Sequence, residues 1–157
     1  MVESFSTTIQ ITSSAFKEGE TIPKKYSGQG GDNSPPLSWG PIPAGTKSFA
    51  LINDDPDAPV GNWIHWLVKN IPPDVTNFDE NSHVGDVVAN SWDKKTYGGP
   101  MPPAGTGPKK DGTHRYFFKI YALNVEKLKA TNNEAFYEEV EKHKIAEGSL
   151  MGIYKKI

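Results

Sequence analysis

Asp54-Asp55-Pro56-Asp57-Ala58-Pro59 sets three carboxylates within four positions and pins them with two prolines. Proline restricts φ and removes a backbone donor, so acids in such a run are held rather than floppy. Held carboxylates need something to act on, and His65 and His114 are the candidate partners. His83 and His143 have no chemistry-bearing neighbours in sequence and read as surface residues. Two histidines with a carboxylate could work as general acid and base on a phosphoester. The same set also supplies the ligands of a non-haem iron site. No His-x-x-x-His or His-x-Asp spacing surrounds His65 or His114, so neither a metal nor a cofactor is expected. No Gly-x-Ser-x-Gly elbow and no cysteine is present, so a covalent nucleophile would have to be improvised. That leaves a binding site as the first reading and a hydrolase as the alternative.

The elements that must position these residues read mostly as strands. The chain has 157 residues, 36% hydrophobic and 23% charged, with 15 glycines and 13 prolines. That length suits one domain spanning 1–157, and the glycine and proline content favours short strands with turns over a helical bundle. Phe5, Thr7, Ile9 and Ile11 alternate with polar residues as in a half-buried strand. Glu18 to Gly45 is rich in turn residues, and its glycines lack the third position of a dinucleotide fingerprint. Ser48 to Asn53 and Trp63 to Ile71 read as buried strands, and Val84 to Ala89 as a short one. Trp63 and Trp66 are expected in the core or at a rim. Arg115 to Leu123 is the strongest strand pattern; it puts His114, Tyr116, Phe118 and Ile120 on one face and Arg115, Phe117, Lys119 and Tyr121 on the other. Between them, Tyr97 to Gly112 forms a long loop of glycines and prolines, the kind that carries function.

Helix is expected only late. Thr131 and Glu134 have capping-box spacing, and Phe136 and Val140 fall four apart. A second short helix is expected from about Ile145 to Tyr154. The predicted architecture is therefore an antiparallel β-sandwich with short C-terminal helices.

Charge and targeting signals exclude several classes. The net charge is −2, and Arg115 is the single arginine, so nucleic acid is not an expected partner. The first residues lack a basic and an apolar signal region, and no apolar run approaches a membrane span. Together with the absence of cysteine, this makes the cytoplasm the expected location, with no membrane insertion.

Several segments carry a family resemblance. Asp55-Pro56-Asp57-Ala58-Pro59, Trp63-Ile64-His65-Trp66, Gly98-Gly99-Pro100-Met101-Pro102-Pro103 and His114-Arg115-Tyr116 occur in the order seen in the phosphatidylethanolamine-binding protein family, which includes the Raf kinase inhibitor proteins. Ser34-Pro35-Pro36-Leu37-Ser38-Trp39 and Asn90-Ser91-Trp92 match as well. The chain resembles the small bacterial and archaeal branch over nearly its whole length. The resemblance implies a β-sandwich with a small anion pocket at one end, built from Asp55, Pro59, His65, Gly99, Pro100, Met101, His114 and Tyr116. It also implies phosphate or phosphoethanolamine as ligand, regulation of a kinase or protease as a role, and a homodimer.

The residue types make sense of such a pocket. Histidine N–H, tyrosine O–H and backbone N–H groups are donors, and phosphate offers acceptors. Asp55 would accept from a histidine, fixing its tautomer and favouring its charged form, or would receive the ammonium of an ethanolamine-like group. Asp57 is expected to be a strut paired with Arg115, and Asp54 has no assigned role. Lys109 and Lys110 are expected to be solvated.

Overall fold

In the computed structural model, residues 8–157 are described. Two antiparallel sheets face each other. The smaller consists of β1 (Gln10–Thr12), β2 (Leu37–Gly40) and β5 (Asn77–Phe78), in the order β1-β2-β5. The larger has β3 (Ser48–Asp55), β4 (Trp63–Ile71), β6 (Asp86–Val88), β7 (His114–Leu123) and β8 (Lys144–Tyr154), in the order β6-β4-β3-β7-β8. Among the described residues one α-helix, α1 (Asn133–His143), packs on the outer side of the larger sheet, and a 3-10 turn spans Lys24–Tyr26.

Burial on both faces explains the composition of the central strands. Every residue of β3 is buried. Phe49 and Leu51 enter the core between the sheets, with Trp39, Trp66, Phe118 and Ile120. Ala50 and Ile52 point the other way, into a second core with Leu67, Leu123, Phe136 and Val140. A strand covered on both faces has no solvent side, so its middle, Phe49 to Ile52, is a continuous apolar run, and its polar residues, Ser48 and Asn53 to Asp55, fall at its two ends. In β7, His114, Tyr116, Phe118 and Ile120 are buried, while Arg115, Phe117, Lys119 and Tyr121 are not, as the alternation predicts.

Other expectations are corrected. Residues 145–154 are not a second helix but most of β8, which pairs with β7 from Leu123↔Lys144 to His114↔Tyr154. Ala146, Leu150, Gly152 and Tyr154 are buried at a period of two. The glycines on that face disguise the strand pattern, yet they are needed there. A Cβ on Gly148 would overlap the Ile9 carbonyl, and one on Gly152 would meet Ile22 and Phe16. The outer edge of β8 is covered: Ile9, Gly19 and Ile22 donate to the carbonyls of Glu147, Met151 and Ile153. An unpaired edge strand of this length would otherwise expose a row of donors and acceptors.

The N-cap of α1 is Asn132, whose side chain accepts from Ala135 N–H at 2.9 Å, and not Thr131. Phe136 and Val140 do form the buried stripe. At the N-terminal end, Ile9 and Ile11 are buried between exposed neighbours, and the strand begins only at Gln10; Phe5 and Thr7 lie outside the described residues. β2 and β5 arise in segments read from sequence as turns or left unassigned. The Val84–Ala89 strand is confined to Asp86–Val88, and 97–112 holds neither helix nor strand.

Candidate functional site

β3, β4 and β7 lie side by side, and each delivers polar side chains to the same end of the sheet, β7 two of them. Asp55 closes β3, His65 is the third residue of β4, and His114 opens β7 with Tyr116 two residues on. These four line a cavity of about 310 Å³ together with Pro59 and Met101. Its remaining walls are apolar: Ala58, Val60, Trp63, Trp92, Pro102 and Pro103. Val60 is 77% exposed, and Met101 and Trp92 are 46% and 40% exposed, so the mouth is apolar while the floor is polar. A cavity of this size suits a small ligand with a compact polar head.

Of the residues expected here, the structure brings Asp55, Pro59, His65, Met101, His114 and Tyr116 together. Gly99 and Pro100 do not line the cavity. The Gly99 N–H donates to Asp32 Oδ1 at 2.7 Å, and the Pro100 carbonyl accepts from Gly28 N–H at 2.9 Å. Both residues fasten the 98–103 loop from behind. A Cβ on Gly99 would lie 2.5 Å from the Tyr26 carbonyl oxygen, which is why glycine is required. Pro100, Pro102 and Pro103 carry no N–H, and Gly98 N–H donates to the His65 carbonyl. Met101 N–H is the donor of the Gly98–Pro103 run without a hydrogen bond among the described residues. The run is therefore much poorer in free donors than the sequence reading assumed.

The histidines also differ from the expected pair of donors. His65 Nδ1–H donates to the Gly98 carbonyl at 2.6 Å, which leaves Nε2 as an acceptor in the neutral ring. Burial lowers its pKa from 6.5 to about 4, against the pull of the Gly98 carbonyl. Edge-on contacts with Trp92 (4.9 Å) and Tyr116 (5.2 Å) hold the ring in place.

His114 is committed at both nitrogens. Nδ1 lies 2.7 Å from Asp55 Oδ2, and Nε2 lies 2.7 Å from Thr106 Oγ1. The Thr106 hydroxyl has one proton, and it goes to the Pro103 carbonyl at 2.6 Å. Nε2 must therefore carry a proton and donate to Thr106. The chain Asp55–His114–Thr106 has the outline of a carboxylate–histidine–hydroxyl relay, but the proton runs the wrong way for a base that activates a nucleophile. Burial pushes the Asp55 carboxyl above the usual carboxylate range, although His114 and the Asp57 N–H, 2.8 Å from Oδ1, pull it down. Burial first, and the Asp55 carboxylate next, push the Tyr116 hydroxyl up, so it stays an O–H donor. Asp55 thus takes the first of its two expected roles, orienting a histidine.

Asp57 and Arg115 pair as expected. Arg115 Nε and Nη2 donate to the two oxygens of Asp57 at 3.0 and 2.8 Å, and the Arg115 backbone N–H adds a third bond at 2.9 Å. The guanidinium holds the Asp57 carboxyl below its ordinary range. Thr106, Asp32 and Trp92 were not singled out from sequence. Thr106 and Asp32 sit in loops without a periodic pattern, and Trp92 carried only a motif match. His83 is exposed and His143 half-buried, neither of them at the cavity.

Comparisons with known proteins converge on one family. The family model described as phosphatidylethanolamine-binding protein matches residues 12–155. A UPF0098 protein of Aquifex aeolicus is 40% identical, covering 94% of this chain and 89% of that protein. A UPF0098 protein of Chlamydia pneumoniae is likewise 40% identical, over 94% of this chain and 99% of its own length. Among solved structures, the phosphatidylethanolamine-binding protein homologue CT736 of Chlamydia trachomatis superposes with a TM-score of 0.85 at 40% identity, covering 97% of this chain and 100% of that one. Escherichia coli YbcL gives 0.85 at 32% identity, over 95% and 99%. The chain, with its two antiparallel sheets and its cavity at the ends of β3, β4 and β7, belongs to the phosphatidylethanolamine-binding protein family.

Proposed function

We propose that this protein binds, without turning over, a small ligand with a phosphate-like head, seated in the cavity bounded by Asp55, His65, His114 and Tyr116. The observation that carries the reading is the commitment of every proton on His114. Its Nε2–H is held by Thr106 and its Nδ1 faces Asp55, so the pair supplies a fixed local field and not a mobile base. The groups left to meet a ligand are the Tyr116 hydroxyl, the Met101 N–H and His65 Nε2. The first two are donors for phosphate oxygens, and the third accepts from a phosphate hydroxyl or an ammonium. The apolar mouth accommodates whatever carbon skeleton the head carries. The family description, which names phosphatidylethanolamine, supports a head group of this class.

The competing reading, a phosphoester hydrolase using His65 and His114 with Asp55, has less support. Among the described residues, the cavity lining holds no serine, threonine or cysteine, and His114, its Nε2–H given to Thr106, is not arranged as a general base. A kinase or protease partner would have to present an anionic group to the same cavity. Cytoplasmic residence and the homodimer of the small branch belong to the same reading, and sedimentation of the purified chain tests the second. Among the described residues no helix is long and apolar enough to cross a membrane.

The test is a titration with inorganic phosphate and with phosphoethanolamine, followed through the imidazole signals of His65 and His114 and through the melting temperature. Both rings shift and the melting temperature rises if the reading holds. Silence from both rings at millimolar ligand would sink it. Phosphate release from a generic phosphoester, lost in His114→Ala, would promote the hydrolase.

A further inference from the structure

Asp54 and Asp55 are neighbours on β3 and therefore point to opposite faces. Asp55 faces the cavity. Asp54, only 1% exposed, faces α1 and the outer core. Its Oδ2 accepts from the Tyr137 hydroxyl at 2.7 Å and from Asn62 Nδ2 at 3.1 Å, and Asn62 Nδ2 also reaches the Tyr137 oxygen at 3.4 Å. Lys119 Nζ lies 3.2 Å from both carboxylate oxygens and balances the buried charge. Desolvation and the Asp54 carboxylate push the Tyr137 hydroxyl up, which keeps it a donor.

Asn62 ends the segment 56–62, whose Ala58, Pro59 and Val60 form one wall of the cavity. The entry of that segment is tied by Asp57, through Asp55 and Arg115. Among the described residues, its middle has only the local bond from Gly61 N–H to the Ala58 carbonyl, at 3.0 Å. The two adjacent carboxylates thus each secure one end of the wall, Asp55 the entry and Asp54 the exit.

We infer that Tyr137 of α1 is a positioning residue for the cavity: through Asp54 and Asn62 it holds the exit of the 56–62 segment, and with it the Ala58–Val60 wall. The inference rests on the binding reading given above, since the wall matters only if the cavity takes a ligand. It gives Asp54 a task, and it links a helix that touches no ligand to the affinity of the site.

The experiment compares wild type with Tyr137→Phe, Asn62→Ala and Asn132→Ala. Asn132→Ala removes the N-cap of α1 without touching Asp54 and controls for general loss of stability. Two readouts are taken: hydrogen exchange of the Gly61 amide, and phosphoethanolamine affinity from the His65 ring signal. Tyr137→Phe and Asn62→Ala should each speed Gly61 exchange and weaken phosphoethanolamine roughly three- to tenfold, the range expected for coupling through a contact network. The double variant should be no weaker than the worse single one, because both act through one anchor. Asn132→Ala should match wild type in both readouts. If Tyr137→Phe and Asn62→Ala are indistinguishable from Asn132→Ala, the inference is overturned. If wild type does not bind phosphoethanolamine, the binding reading fails, and Gly61 exchange alone decides the role of Tyr137. Should Tyr137→Phe not fold, Asn62→Ala, at an exposed position, carries the same comparison.

Discussion

His65 makes the fold sensitive to acid in a way that can be worked out in advance. The ring is 3% exposed, donates to the Gly98 carbonyl, and has its pKa lowered from 6.5 to about 4 by burial. Unfolding returns it to water, where its pKa is about 6.5. Between those values the unfolded chain binds more protons than the folded one, so stability falls as pH falls. With these two pKa values, linkage gives a loss of about 2 kcal/mol at pH 5 and about 3 kcal/mol at pH 4, against almost none at pH 7.

Two carboxyls near the site are also shifted, and their signs differ. Asp55, held above the carboxylate range, contributes in the opposite direction, with stability lost as pH rises through its folded value. Asp57, held low by Arg115, loses its contribution only below the ordinary value of 3.8. A variant isolates the histidine. Urea unfolding of wild type and His65→Gln at pH 7, 5 and 4 gives two stability curves, and their difference removes the groups they share. The gap between them should change by about 2 kcal/mol from pH 7 to pH 5, in the sense that wild type loses more. Parallel curves, or a His65 ring signal that titrates near pH 6.5 in the folded protein, would refute the assignment of a buried neutral histidine.

The remaining predictions concern the site and its supports. Thr106→Val leaves the His114 Nε2–H without an acceptor in a site where His114 is 1% exposed, and should cost about 1–3 kcal/mol in thermal or urea unfolding. Thr106→Ser should restore most of it, and a Val variant as stable as wild type would show that Thr106 is not the acceptor. Arg115→Met removes the two-pronged pair with Asp57, and because Arg115 is about half exposed the loss should be about 1 kcal/mol, read from the shift in urea midpoint. Unchanged stability would mean that Asp57 is not a strut. If His65 Nε2 accepts from the ligand, phosphoethanolamine should bind more weakly as pH rises through about 6, where phosphate monoesters lose their last proton. Glycerophosphoethanolamine, a diester without that proton, should show no such step; matching pH profiles would point to neutral backbone donors instead.

Much of the architecture was legible in the residues. The alternation along β7 put His114 and Tyr116 on one face, and a strand held on both sides by apolar layers has little choice about where its polar residues go. The unbroken apolar run from Phe49 to Ile52 in β3 signalled burial on both faces. The Asp57–Arg115 strut was readable because alternation along β7 turns the single arginine to the face opposite His114. β8 was misread for a physical reason. Its inward positions include glycines that other chain segments press against, so the period of two was there but without the side chains that make it visible.

The sequence by itself determined which residues within a strand share a face and where the chain is pinned, because strand alternation and proline geometry are local properties. That Asp55, His65, His114 and Tyr116 meet in one pocket was implied by the family resemblance of the segments that hold them, not by alternation. Tertiary structure decided what each of them does, because protonation and hydrogen-bond roles depend on partners distant in the chain. Tyr137 meets Asp54 across 83 residues. Thr106 takes the proton of His114 only because a loop without periodic pattern folds back onto β7. Gly98 turns His65 from an expected donor into an acceptor, and burial keeps it neutral. The residues named the site, and only their packing assigned its protons.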